Sequence, residues 1–134
     1  MNLMVCYNGS APAIKALEIA GDRAKTFGAK IFLVMSLAGG ADMPREEFQK
    51  KEAELRRIRR RLQQDGVVCE TTLSVRGLER GEDLVAFARE NDVDEIIIGV
   101  RKRSKVGKLV FGSTVQFVIL EAHCPVLTVK SDAS

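Results

Sequence analysis

Ile96-Ile97-Ile98-Gly99 is the most apolar, most β-branched run in the chain, and it reads as a central strand buried on both faces. Upstream of it, Glu82–Glu90 reads as a helix, with Leu84, Phe87 and Ala88 at i, i+3 and i+4. Downstream, past a basic stretch, Ser113–Ala122 reads as another helix, with Val115, Val118, Ile119 and Ala122 facing inward. Cys124-Pro125-Val126-Leu127-Thr128-Val129 follows as a strand. Pro125 cannot donate to a ladder and belongs at the start of that strand or on an edge.

The N-terminal half repeats this alternation. Leu3-Met4-Val5-Cys6-Tyr7 and Ile31-Phe32-Leu33-Val34-Met35 are continuous apolar runs of buried-strand type. Between them, Ser10 can cap a helix with Pro12 in its first turn, and Gly28 suits a left-handed C-terminal position. Its apolar stripe is Ala13, Leu17, Ala20, Ala24 and Phe27. Residues 38–44 read as a loop. A helix is expected over Arg45–Gln64, with Phe48, Leu55, Ile58 and Leu62 on one side and Gly66 ending it. Residues 67–75 alternate instead: Val67, Cys69, Thr71, Leu73 and Val75 on one side, Val68, Glu70, Thr72 and Ser74 on the other. A period of two with a polar face places this strand at a sheet edge. Strand–helix alternation throughout implies parallel strands with right-handed crossovers, hence an open α/β sheet with helices on both faces.

The 134 residues suit one domain, assigned to residues 1–130, with 131–134 a frayed tail. Apolar residues make up 46% and charged residues 29%, which excludes wholesale disorder. No window approaches the ~20 apolar residues that span a bilayer, so no membrane association is expected. An N-terminus without a basic region or signal-length apolar run, together with three cysteines in no metal-like spacing, points to the cytoplasm. A net charge of +3 is too small to argue for nucleic acid. Arg56-Arg57-Ile58-Arg59-Arg60-Arg61 reads as a solvated helix face, offset by i, i+4 pairing with Glu46, Glu47, Glu52 and Glu54. One tyrosine and no tryptophan leave no stacking platform for bases. His123, the only histidine, is expected in the last turn of the final helix, where a cation complements the dipole. The cysteines read as small hydrophobes beside strands.

Ligands of such sheets bind beyond the carboxyl ends of the strands, where strand order reverses. Two segments fall there: Asn8-Gly9-Ser10, and Gly99 to Thr114. In the second, five of residues 101–108 are basic and none is acidic, and Gly112-Ser113 opens a helix. Free amides, hydroxyls and cations at a helix start form an anion site. Ser113-Thr114-Val115-Gln116 also has the spacing of a capping box, which accounts for Ser113 without any ligand. Both readings stand.

Val5-Cys6-Tyr7-Asn8-Gly9-Ser10, Val93-Asp94-Glu95-Ile96-Ile97-Ile98-Gly99, Gly112-Ser113-Thr114 and His123-Cys124-Pro125-Val126-Leu127-Thr128-Val129 together resemble the universal stress protein family over essentially the whole chain. The resemblance implies strand order 3-2-1-4-5, and dimerisation through the edge strand at residues 124–130. It also implies binding of an adenine nucleotide, ATP or AMP, with Mg²⁺ accompanying ATP. Nucleotide-binding members carry Gly, two residues, Gly, nine residues, then Gly and Ser or Thr. Gly99, Gly112 and Ser113 match, but Lys102 stands at the second glycine and Asn8 where an Asp is usual.

The binding residues implied by the resemblance are Tyr7, Asn8, Ser36, Ile98, Gly99, Arg101, Lys102, Gly112, Ser113 and Thr114. Lys102 either obstructs the approach of phosphate to the backbone or, with Arg101 and Arg103, supplies charge to it. The first reading is a nucleotide-binding regulatory module of the stress response, with slow ATP hydrolysis at most. The alternative is a dimeric interaction protein of the same family that binds no nucleotide. A true enzyme of the related adenine-nucleotide hydrolase folds would need a paired base and nucleophile, and the sequence offers no such signature.

Overall fold

The computed structural model describes residues 1–38, 42–101 and 111–131. Among these the order is β1 (Asn2–Cys6), α1 (Ala11–Phe27), β2 (Lys30–Ser36), α2 (Arg45–Gln64), β3 (Cys69–Ser74), α3 (Arg80–Glu90), β4 (Glu95–Arg101), α4 (Ser113–Glu121) and β5 (Val126–Ser131). The strands form one parallel sheet in the order β3-β2-β1-β4-β5. The chain builds outward from β1 to β3, then crosses back to place β4 on the other side of β1. Strand order therefore reverses between β1 and β4. Gly39, Gly40, Ala41, Lys102–Val110 and Asp132–Ser134 lie outside the described residues.

The continuous apolar runs become the inner strands. Leu3, Met4 and Val5 of β1 and Ile96 and Ile97 of β4 are fully buried, because helices cover both faces. Leu3, Val5, Ile31 and Leu33 pack with α1 and α2, while Met4, Phe32, Ile96 and Ile98 pack with α3 and α4. Each such side chain removed from water contributes roughly 1.5–3 kcal/mol. β3 lies on one edge, as its period of two predicts, and β5 on the other. The alternation in β3 fails at its end. Ser74 is buried and Val75 exposed, because the Ser74 hydroxyl turns inward to a carboxylate on α3.

Ser10 caps α1, its Oγ accepting from Ala13 N at 3.3 Å, and Gly28 closes it at φ 65°. The buried stripe is Ala13, Ala16, Ala20 and Ala24. Phe27, expected on it, is 59% exposed where the chain turns at Gly28 towards β2, and the Arg23 guanidinium lies over its ring. On α4 only Val118 is fully buried; Ile119 faces solvent, and Leu120 is 77% exposed. That helix packs chiefly through Val118 below and Phe117 against Gly81 of α3. α3 begins two residues before the expected start, and β5 runs through Ser131, so the expected tail begins inside the sheet. His123 lies beyond the end of α4, past Ala122. Its Nε2 donates to Val93 O at 3.0 Å, so a tertiary bond replaces the expected interaction with the helix dipole.

The row of alanines lets α1 sit close to the sheet, and its tightest point is Gly99. A Cβ there would lie 2.4 Å from the Pro12 carbonyl carbon and 2.5 Å from its oxygen. These are backbone atoms at the start of α1 and cannot yield as a side chain would. Gly99→Ala is therefore expected to destabilise the fold by about 2 kcal/mol or more, measured as a lower urea midpoint with an unchanged slope.

Candidate functional site

At the carboxyl ends of the strands a cavity of about 310 Å³ opens between β1 and β4. Six of its lining residues come from four parts of the chain. Tyr7 and Asn8 follow β1, Ser36 ends β2, Ile98 and Gly99 lie in β4, and Thr114 sits in the first turn of α4. These six were all named from the sequence, and the fold brings them together. Arg101 is at the exposed end of β4. Gly112 and Ser113 lie next to Thr114, with Ser113 lining an adjoining cavity of about 290 Å³. Lys102 lies outside the described residues.

The turn after β1 is held by its own side chains. Asn8 Oδ1 accepts from Ser10 N at 3.1 Å and from Ser10 Oγ at 2.6 Å, while Ser10 Oγ accepts from Ala13 N. Gly9 sits at φ 80° between them, a conformation that favours a residue without Cβ. Asn8 thus organises the entry to α1 with the oxygen that an aspartate would offer to a ligand. Tyr7 is buried, and its hydroxyl donates to Glu54 Oε1 of α2 at 2.9 Å. Burial, reinforced by that bond and the Glu54 charge, pushes its phenol up to about 12.

The capping box does not form. Gly112 is the residue before α4, no side chain caps the helix, and Ser113 is its first helical residue. Gln116 N donates to Gly112 O at 3.0 Å as the first bond of the helix, and among the described residues no side chain accepts from the amides before it. Among the described residues a Cβ at Gly112 would meet nothing within 4 Å, in contrast to Gly99.

Sequence reasoning missed Lys51 of α2 and Arg80 and Leu84 of α3, which also line the cavity. It also missed the polar centre behind Ser36. Asp83 is only 2% exposed. It accepts from Ser36 Oγ at 2.5 Å, Ser74 Oγ at 2.9 Å and Arg76 Nε at 2.8 Å, and Arg76 continues to Glu90 at 2.7 Å. This cluster joins the ends of β2 and β3 to α3 and commits the Ser36 hydroxyl proton to Asp83. The available signal was periodicity: Asp83 precedes Leu84 and stands four residues before Phe87, on the inward face of its helix.

The remaining chemistry is structural. Burial pushes the thiols of Cys6 and Cys69 up, to about 12 and about 11, and that of Cys124 upward too. Arg56, Arg57, Arg60 and Arg61 are exposed. Among the described residues none of them reaches an ion pair with the glutamates of α2. The expected pairing fails at Glu54 because that carboxylate turns to Tyr7. No three His, Cys, Asp or Glu among the described residues converge as a metal site, and no described helix is long and apolar enough to cross a membrane.

Burial raises the Asp83 carboxyl, but the hydrogen bonds from Ser36, Ser74 and Arg76, with the Arg76 charge, hold it below its ordinary value. Its contribution to stability is therefore complete above about pH 4, the unfolded value, and is lost as pH falls through the lower folded value. Asp83→Asn is expected to cost about 2 kcal/mol at pH 7, and the gap from the parent should narrow below pH 4. Urea unfolding at pH 7 and pH 3 measures both.

The universal stress protein family matches residues 1–130. A universal stress protein of Mycolicibacterium smegmatis is 30% identical over 128 residues, 96% of each chain. The solved structure of a universal stress protein from Archaeoglobus fulgidus superposes with a TM-score of 0.82 at 36% identity, covering 96% of this chain and 97% of that one. A further one from Archaeoglobus fulgidus, in complex with dAMP, gives 0.77 at 30% identity over 96% of each chain. The sheet order, the cleft at its reversal point and these matches agree: the chain belongs to the universal stress protein family.

Proposed function

We propose that the cleft between β1 and β4 binds an adenine nucleotide, ATP or AMP, and that the protein acts as a dimeric regulatory module of the stress response. The observation that carries this reading is the convergence of Tyr7, Asn8, Ser36, Ile98, Gly99 and Thr114 on one cavity where strand order reverses. The dAMP complex of a relative 30% identical to this chain supports it. The start of α4, which no side chain caps among the described residues, adds amides that favour an anion. Mg²⁺ does not fit this chain's own donors. No Asp or Glu lines the cavity among the described residues, and Asn8 Oδ1 is taken by Ser10, so a metal arriving with ATP would rest on phosphate and water.

Titration calorimetry with ATP and AMP tests the reading. Binding is expected, with Lys102→Gly preserving it and Gly112→Val abolishing it. Because a Cβ at Gly112 meets nothing among the described residues, that loss should come without loss of stability, read as an unchanged urea midpoint. Neither heat nor a thermal shift at millimolar nucleotide would leave the second reading, an interaction protein without nucleotide. Lys102 in place of the family's glycine favours that alternative.

Pairing is proposed along β5, whose outer edge has no neighbouring strand among the described residues. Val126, Leu127 and Thr128 there are only partly buried. Light scattering is expected to give a dimer mass, and a monomer at high concentration would count against this arrangement.

A further inference from the structure

Two cations reach the cleft from elements outside the basic stretch at 101–108. Lys51, half-buried on α2, and Arg80, the first residue of α3, both line the 310 Å³ cavity. Arg80 is held in place: its Nε donates to Ser36 O at 3.3 Å, at the end of β2. Among the described residues neither Lys51 nor Arg80 forms an ion pair. Glu79 and Glu82 line the adjoining cavity, not this one. The buried carboxylate nearby, Asp83, is already met by two hydroxyls and Arg76.

Gly81 explains how Arg80 comes close to α4. A Cβ at Gly81 would lie 2.8 Å from Phe117 Cβ, so the absence of a side chain lets the first turn of α3 pack against α4. Arg80 and Thr114 consequently line both the main cavity and the adjoining one. A guanidinium with one donor engaged and its remaining donors uncommitted to any carboxylate is suited to a phosphate group.

We infer that Arg80, assisted by Lys51, supplies the cationic contacts to the ligand's phosphate and makes the cleft select nucleotide over nucleoside. This rests on the adenine-nucleotide reading and adds side-chain cations from α2 and α3 to the amides at the start of α4.

The experiment titrates the full chain with AMP, adenosine and inorganic triphosphate, in the parent, Arg80→Gln, Arg80→Lys and the double variant Lys51→Gln with Arg80→Gln. AMP affinity is expected to fall roughly tenfold or more in Arg80→Gln and further in the double variant, with partial recovery in Arg80→Lys. Adenosine affinity should stay within about twofold, the scale of a contact that phosphate alone makes. Triphosphate should raise the thermal midpoint of the parent and not that of the double variant. AMP affinity unchanged in the double variant, or AMP and adenosine weakened equally, overturns the inference and leaves adenine binding standing. Triphosphate stabilisation lost in the double variant, with no response of the parent to AMP or adenosine, overturns adenine binding and keeps the anion contacts. No response of the parent to any of the three overturns both. Unfolding midpoints of the unliganded variants matching the parent show that each is folded.

Discussion

The cleft exists because α1 and β4 touch through backbone at Gly99. The Pro12 carbonyl occupies the space a side chain would need, and only a residue without Cβ allows the start of α1 to lie across the end of β4. That contact fixes the level at which the chain leaves β1, and so where Tyr7 and Asn8 stand relative to Ile98. The alanine face of α1 continues the close approach along the helix. A glycine that resembles part of a ligand motif thus has a sufficient structural reason of its own. At Gly112 a Cβ would meet no described residue.

The fold was largely legible because its strands divide cleanly by pattern. Runs such as Leu3–Val5 and Ile96–Ile98 are apolar at every position, which only a strand covered on both faces tolerates. The edge strand at 69–74 alternates instead. Errors gathered where a side chain answers to a distant partner rather than to its own period. Ser74 turns inward for Asp83, Glu54 leaves its arginines for Tyr7, and His123 reaches Val93. No local spacing encodes such bonds.

The same distinction runs through the site. Residues next to strand ends or helix starts were found because topology alone places them at the reversal point. Lys51, Arg80 and Asp83 come from helix positions whose side chains arrive there only after packing. Gly81 against Phe117 decides where α3 begins relative to α4, and nothing in a one-dimensional pattern distinguishes it from other helical glycines. The cap at Ser113 failed for a related reason: the spacing was right, but the helix starts one residue too early for that hydroxyl to bridge it.

Oxidants attack cysteine as the thiolate, and a thiol that stays protonated near neutral pH reacts slowly. Cys6 and Cys69 are buried in the packed layers, with values far above neutrality, and Cys124 is shifted the same way. The thiols of Cys6 and Cys69 are thus both shielded by packing and held protonated, so oxidation at those two positions is disfavoured near neutral pH.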